Sequence, residues 1–219
     1  VPQYHRLERN PGIGYLSLAS FQDESVAFEV SRALALLRVA QPPLEGLILD
    51  LRGNEGGWIE EVLDIAGQFA PGDFAREASR FGITLLVAPQ GEHAAALEPL
   101  PLVVLVDGQS ESGAELLAAG LQHAGRARVV GQPSAANTEI VYAYGYDDGS
   151  ELWLAYSQTL RLDGSPIGAS GVVPDHFIAP DIFWPEYPER DDPYLNAALE
   201  LLETPLDKPH PGKPQSGKP

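Results

Sequence analysis

Gly46-Leu47-Ile48-Leu49-Asp50-Leu51-Arg52-Gly53-Asn54-Glu55-Gly56-Gly57 joins a short, nearly continuous apolar strand to a glycine-rich turn. Apolar residues without alternation mark a strand covered on both faces, as in a parallel sheet. A helix from about Trp58 to Phe69 follows the turn. The same succession recurs downstream, where the strand Leu102–Val106 leads through a turn into a helix from about Ser112 to His123. Around these two units, Ile13–Phe21, Ile83–Val87 and Ala127–Val130 read as strands. Glu24–Arg38 reads as a helix with Val26, Val30, Ala33, Leu34 and Leu37 on one face. The alternation predicts an α/β core of repeated βα units around a largely parallel sheet with right-handed crossovers. Such sheets bind ligands beyond the carboxyl ends of their strands, which singles out the turns Arg52–Gly57 and Asp107–Ser112.

After the last of these strands the character changes. Glu139–Tyr146 and Leu152–Leu160 flank Asp147-Asp148-Gly149-Ser150, a β-hairpin pattern, and a second turn follows at Asp163-Gly164-Ser165-Pro166. Tyr142, Tyr144 and Tyr146 share one strand face, either for cross-strand packing or as an apolar ledge for a peptide. Asp192-Pro193 is a cap with proline at the first helical position, and it predicts a C-terminal helix to about Leu202. Residues 204–219 hold five prolines and three lysines, which predicts a flexible tail behind a single core domain of residues 1–203.

Composition narrows the function classes. With 44% apolar and 21% charged residues, the 219-residue chain can bury a real core. A formal charge of −17 argues against nucleic acid or an anionic membrane surface as partner. No apolar run approaches the ~18–20 residues of a membrane-spanning helix. There is no cysteine, so thiolate nucleophiles and cysteine-ligated zinc are excluded. Glu60, Glu61 and Asp64 read as a solvated helix face, and no metal site or cofactor is implied. The chain starts at Val1 and has no methionine, so it reads as a processed or truncated product. Its lysines, Lys208, Lys213 and Lys218, all lie in the tail, which leaves a lysine-dependent mechanism without a lysine in the core.

The two turns carry the candidate chemistry. Glycines at Arg52–Gly57 let backbone approach a ligand closely, and amides at a helix start can hold an anion; a tight βα connection is the plainer reading. No Gly-Lys-Ser/Thr follows, so this is not a phosphate loop. In Ser110-Glu111-Ser112-Gly113-Ala114-Glu115, a serine at a helix N-terminus sits in a potential that favours a developing alkoxide. Ser112-x-x-Glu115 is equally a helix capping box.

Taken together, the motifs resemble those of the carboxyl-terminal processing (tail-specific) serine peptidases. The resemblance runs in order through Gly14-Tyr15-Leu16, Asp50–Gly57, Ser110–Glu115, Gly125-Arg126-Ala127, Gly131-Gln132-Pro133-Ser134, Asp148-Gly149-Ser150, Gly171-Val172-Val173-Pro174-Asp175 and Asp192-Pro193-Tyr194-Leu195. It implies a crotonase/ClpP-like core with Ser112 as nucleophile. The implied oxyanion hole combines the amide of Gly113 with a backbone donor at Gly56 or Gly57. Family members commonly carry a peptide-docking PDZ domain ahead of this core; only about a dozen residues precede the first expected strand, so no PDZ domain is expected in this chain. The family also implies polypeptide substrates, an extracytoplasmic (periplasmic or secreted) location and a possible homo-oligomer.

The resemblance breaks at the general base. The family lysine would fall within Ser134-Ala135-Ala136-Asn137-Thr138-Glu139, where Asn137 stands in its place, and the helper glutamine four residues on is Val141. An amide has no useful basicity near neutral pH. Glu139 lies two residues on, on the same face of an extended strand, and could act as base or orient one; a surface carboxylate is the plainer reading. His5 could fold back over the site. His123 ends the nucleophile's helix, ~16 Å away at ~1.5 Å per residue, too far for proton transfer. His93 and His210 read as inert, and His176 carries no assignment. The leading expectation is a serine endopeptidase cleaving unfolded or C-terminal segments through Ser112 with a non-lysine base. The alternative is a catalytically inactive pseudo-peptidase that binds peptides or acts as a scaffold. Acyl-CoA chemistry on the same fold ranks third, opposed by the net charge and the lysine-free core.

Overall fold

The structure, a computed structural model, describes residues 1–168, 170–179 and 188–203. In chain order its elements are β1 (Gln3–Leu7), β2 (Asn10–Ser17), α1 (Val26–Val39), β3 (Gly46–Asp50), α2 (Ile59–Gly67), β4 (Gly72–Ser79) and β5 (Gly82–Ala88). There follow α3 (Ala94–Leu97), β6 (Leu102–Val106), α4 (Gly113–His123), β7 (Arg128–Gly131), β8 (Glu139–Gly145), β9 (Glu151–Arg161), β10 (His176–Phe177) and α5 (Pro193–Leu202).

Every residue of β3 and β6 is buried, as their unbroken apolar runs require. They form the centre of a six-stranded sheet ordered β1-β2-β3-β6-β7-β10. All neighbours in it are parallel except β1, which runs antiparallel to β2. Alternate residues feed two cores. Leu47, Leu49, Val104 and Val106 meet the buried faces of α1, α2 and α4, while Ile48, Val103 and Leu105 meet Tyr194, Leu195 and Ala198 of α5. A separate antiparallel sheet, β5-β4-β9-β8, closes over α2 and α4 on the side away from the first sheet. The expected crotonase/ClpP-like α/β core is therefore present, with the hairpin built into the second sheet.

Several elements differ from expectation. His5 does not precede the first strand but lies inside one, since β1 starts at Gln3 and pairs His5 with Tyr15. The first strand therefore begins earlier than the dozen-residue lead the sequence suggested. β4 was not expected: Gly72-Asp73-Phe74-Ala75-Arg76-Glu77-Ala78-Ser79 has almost no strand propensity, and pairing with both β5 and β9 holds it extended. β10 is only two residues, held by β7 alone. His93 is not an inert loop residue. It is buried, donates from Nε2 to the Ser31 carbonyl at 2.8 Å and accepts at Nδ1 from Arg38 at 3.1 Å, pinning α1. Glu61 accepts from the Ala27 amide at 2.7 Å, so the acidic face of α2 is in part a clamp on the start of α1. The expected flexible tail, 204–219, lies outside the described residues.

α4 and the second sheet meet at Gly120, where a Cβ would stand 2.2 Å from the Phe74 ring of β4. Gly120→Ala is therefore expected to cost about 1–3 kcal/mol despite alanine's better helix propensity, because the ring has to shift within a packed layer. Urea unfolding measures it; a neutral or stabilising change would mean that β4 is not seated on α4.

Candidate active site

Two strand-to-helix turns and one extended segment converge beyond the carboxyl ends of β3 and β6. The first turn is built by buried polar groups. Asn54, fully buried, donates to the Leu18 carbonyl at 2.7 Å and accepts from the Gly56 amide at 2.8 Å, while its own carbonyl accepts from Glu111 at 2.9 Å. Asp107 accepts from the Gly53 amide at 3.1 Å, and Ser110 Oγ donates to the Leu51 carbonyl at 2.8 Å. Ser110 is thus a buried tie between the turns, whereas Ser112 remains partly accessible.

Beneath the first turn, Arg52 bridges Asp50 at 2.5 Å and Asp192 at 3.0 Å and lies 4.7 Å from the centre of the Tyr194 ring. Asp192 caps α5 through the amides of Tyr194 and Leu195, so this cluster locks the last helix to the end of β3. Burial disfavours the charge on Arg52, but the hydrogen bonds and charge of Asp50, with Asp192, outweigh it and hold the guanidinium above its ordinary range. Tyr15 donates to Asp50 at 2.6 Å; burial and that carboxylate hold its phenol well above the usual tyrosine range.

Ser112 is the residue before α4 and has φ +52°. Among the described residues, the only other non-glycine with positive φ is Ala136, at +64°. Such a conformation costs of order 1–3 kcal/mol and persists only where the surroundings over-determine it. Here one group does so. The fully buried Glu115 carboxylate accepts from the Ser112 amide at 3.1 Å, the Asn137 amide at 2.8 Å, the Ala136 amide at 2.9 Å and the Ser134 hydroxyl at 2.5 Å. The Ser112 amide also reaches the Asn137 carbonyl at 2.8 Å. Gly171 sits against the same carboxylate, with no room for a Cβ beside Ser134 Oγ, and the Val172 amide donates to Ser134 Oγ at 2.6 Å.

The capping-box arrangement of Ser112 and Glu115 is thus present, the Glu115 carboxylate accepting from the Ser112 amide and the Ser112 side chain facing the backbone of Glu115. Gly56 stands directly on the Ser112 turn: a Cβ there would lie 2.7 Å from Ser112 Cβ and 2.8 Å from the Gly113 amide nitrogen. The Gly56 amide is taken by Asn54, while no hydrogen bond engages the amides of Gly57 and Gly113 among the described residues.

Residues 12–178 match peptidase family S41. The chain belongs to this family. A carboxyl-terminal-processing protease of Synechocystis is 31% identical over 199 residues, covering 89% of this chain and 45% of that protein. Among solved S41 structures, a photosystem II D1 C-terminal processing protease superposes with a TM-score of 0.67 at 27% identity, covering 78% of this chain and 43% of that one. The tricorn protease, at TM-score 0.52 and 17% identity over 88% of this chain and 18% of its own, shares the fold. The chain spans less than half the length of the curated S41 relatives it matches.

The structure brings Ser112, Gly113, Gly56, Gly57 and Asn137 together and leaves His5 apart from them. His5 lies on β1, three strand spacings or ~14 Å across the sheet from β6, against Tyr15 and 3.4 Å from Glu189. Glu139 opens β8, exposed and without a hydrogen bond or ion pair from its side chain among the described residues. Sequence reasoning missed Glu111, whose Oε2 accepts from the Asn137 side-chain amide at 3.2 Å. An acidic residue directly before Ser112 was the available signal. It also read Glu115 as a cap alone.

Glu115→Gln keeps the shape but turns an NH2 group toward backbone donors. It is expected to cost about 1–3 kcal/mol and to speed hydrogen exchange at the Ala136 and Asn137 amides at least tenfold. Exchange unchanged at both amides would show that Glu115 does not hold this segment.

Proposed function

We propose that the chain is the proteolytic core of a serine endopeptidase that cleaves unfolded or C-terminal polypeptide segments, with Ser112 as nucleophile and a carboxylate in place of the family lysine. The observation that carries this reading is Ser112 itself: partly accessible and held at positive φ at a helix N-terminus, beside two amides without partners among the described residues. Peptide cleavage needs these parts, a nucleophile and preorganised donors for the oxyanion.

In this mechanism Ser112 Oγ attacks the scissile carbonyl carbon while its proton passes to the base, and the carbonyl π electrons move onto oxygen. The amides of Gly113 and Gly57 hold that oxyanion, Gly56 serving through its close approach since its amide is occupied. Collapse restores the carbonyl and breaks the C–N bond, and the leaving amine takes the proton back from the base. Water, deprotonated by the same group, then releases the acyl-enzyme. Glu111 is the first choice of base because the Asn137 amide holds its carboxylate beside the nucleophile's turn, where the family lysine would stand. Glu139 is the second, and His5 has no part in the step. Polypeptide substrates, self-association and an extracytoplasmic location belong to the same reading, the last resting on family resemblance.

Cleavage of an unfolded protein and of a peptide with an apolar C-terminus tests it. Ser112→Ala should abolish turnover, Glu111→Gln should lower kcat at least 100-fold, and Asn137→Lys should restore activity to Glu111→Gln with a limb rising toward alkaline pH. Equal peptide binding by the parent and Ser112→Ala chains with no cleavage by either would establish the binding-only alternative. Cleavage lost in Glu139→Gln but kept in Glu111→Gln would move the base to Glu139.

A further inference from the structure

β8 is an edge of the second sheet, and among the described residues no strand pairs with its far side. The bonds at its two ends set which backbone groups are free. The Thr159 amide donates to the Thr138 carbonyl at 3.0 Å, and the Tyr146 amide donates to the Ser150 carbonyl at 2.8 Å. With the register between them, alternation turns the backbone of Ile140, Tyr142 and Tyr144 toward β9. The amides and carbonyls of Glu139, Val141, Ala143 and Gly145 are left on the open edge. This edge starts at the Ser112 turn, since the Ser112 amide bonds the Asn137 carbonyl just before β8 begins.

A bulge in the register fixes the faces. Ile140 lies opposite Ser157 and Val141 opposite Ala155, so Tyr156 is the extra residue. Tyr142, Tyr144, Leu152 and Leu154 therefore fall on the side of Ser157. That side faces the helices, because Ser157 and Thr159 are buried on it and Ala75, which shares it, lies in the core with α4. β9 leads toward the far end of α4, where His123 is close enough to bear on the Asp163 carboxylate. Its earlier residues run the other way, past the Ser112 end, and overhang the approach to that serine. Cover is lost there: Ser157 is 7% exposed, whereas Tyr142 is 55% and Leu154 47% exposed. Tyr142 meets Tyr156 edge-on at 5.2 Å, and Phe81 lies 6.3 Å from Tyr156, so the overhang is a preset aromatic wall.

Resting on the reading of Ser112 as nucleophile, we propose that an extended apolar segment of the polypeptide substrate adds to the open edge of β8, with every second side chain seated against the wall of Tyr142 and Tyr144. An open strand edge offers donors and acceptors at strand spacing, which another extended backbone matches. Alternation then gives selectivity. Substrate side chains at i and i+2 lie on the tyrosine side, and those between them lie beside Val141 and Ala143 on the other. β8 has seven residues, so selection extends roughly 23 Å from the Ser112 turn at ~3.3 Å per residue. Charge opposes a second copy as the occupant. Two β8 strands paired antiparallel would bring Glu139 of one toward Asp147 and Asp148 of the other, on chains of net charge −17.

Peptide binding to the Ser112→Ala chain tests the edge apart from the chemistry. The probe is a peptide long enough to span β8, with leucine at alternate positions and serine between; its control has the same composition with the leucines in one block. The alternating peptide should slow hydrogen exchange at the Val141 and Ala143 amides at least tenfold and leave those of Tyr142 and Tyr144, already bonded to β9, unchanged. It should bind at least tenfold more tightly than the control. Tyr144→Lys, at a position 53% exposed, should weaken binding at least tenfold with the melting temperature unchanged. No binding, binding without slowed exchange at Val141 and Ala143, equal affinity for the two peptides, or unchanged affinity in Tyr144→Lys overturns the proposal, even where the parent chain cleaves protein. Exchange at these amides that slows as the free chain is concentrated assigns the edge to a second copy and overturns it too. Edge protection by the peptide, with no cleavage by the parent chain, sustains the docking edge and ends the peptidase reading.

Discussion

A single buried carboxylate, that of Glu115, accepts hydrogen bonds from Ser112, Ser134, Ala136 and Asn137 and so joins the start of α4 to the extended segment 134–137. A polar group at this depth needs partners, and donors reach both carboxylate oxygens. The bond network acts at both ends of a strained contact, since Ser112 and Ala136 each take a backbone conformation that side chains disfavour. Strain of that size is tolerated because loosening either residue would leave Glu115 short of donors. Ser112 is thereby held at the start of α4 in a backbone conformation that a serine would not otherwise take.

The rest of the site follows from close approach. Gly56 lies against Ser112 and Gly113, and Gly171 against Ser134 and Glu115, so each glycine stands where a side chain would push the turns apart. Buried Asn54 and Asp107 tie the two βα turns to each other, and the Asp50–Arg52–Asp192 cluster ties the first turn to the final helix. Rigid support of this kind is what an oxyanion hole requires, because donors that must reorganise during reaction give back most of their benefit. The Asn137 side-chain amide in turn holds the Glu111 carboxylate.

The legible parts of the fold were those with strong periodicity. The unbroken runs at Leu47–Leu49 and Leu102–Val106 and the apolar stripe of α1 placed the central sheet and its first helix layer, because burial on both faces leaves only one kind of pattern. β4 was hidden because tertiary pairing, not propensity, keeps it extended. The ordered motifs singled out the two turns that meet beyond β3 and β6. That the Gly56 amide is taken was not legible, because it depends on where the Asn54 side chain lies in space. Glu111 was missed for a similar reason: its partner, Asn137, is brought to it only by the contact at Glu115.

The most direct test of the account is covalent labelling with a fluorophosphonate, read by intact mass and peptide mapping in the native chain and after urea unfolding. A strained, preorganised nucleophile should give one adduct, on Ser112, formed in the native chain and lost on unfolding, with the buried Ser110 unmodified. No adduct in the native chain, or one at another serine, would contradict the claim that the Glu115 contact presents Ser112 as a working nucleophile.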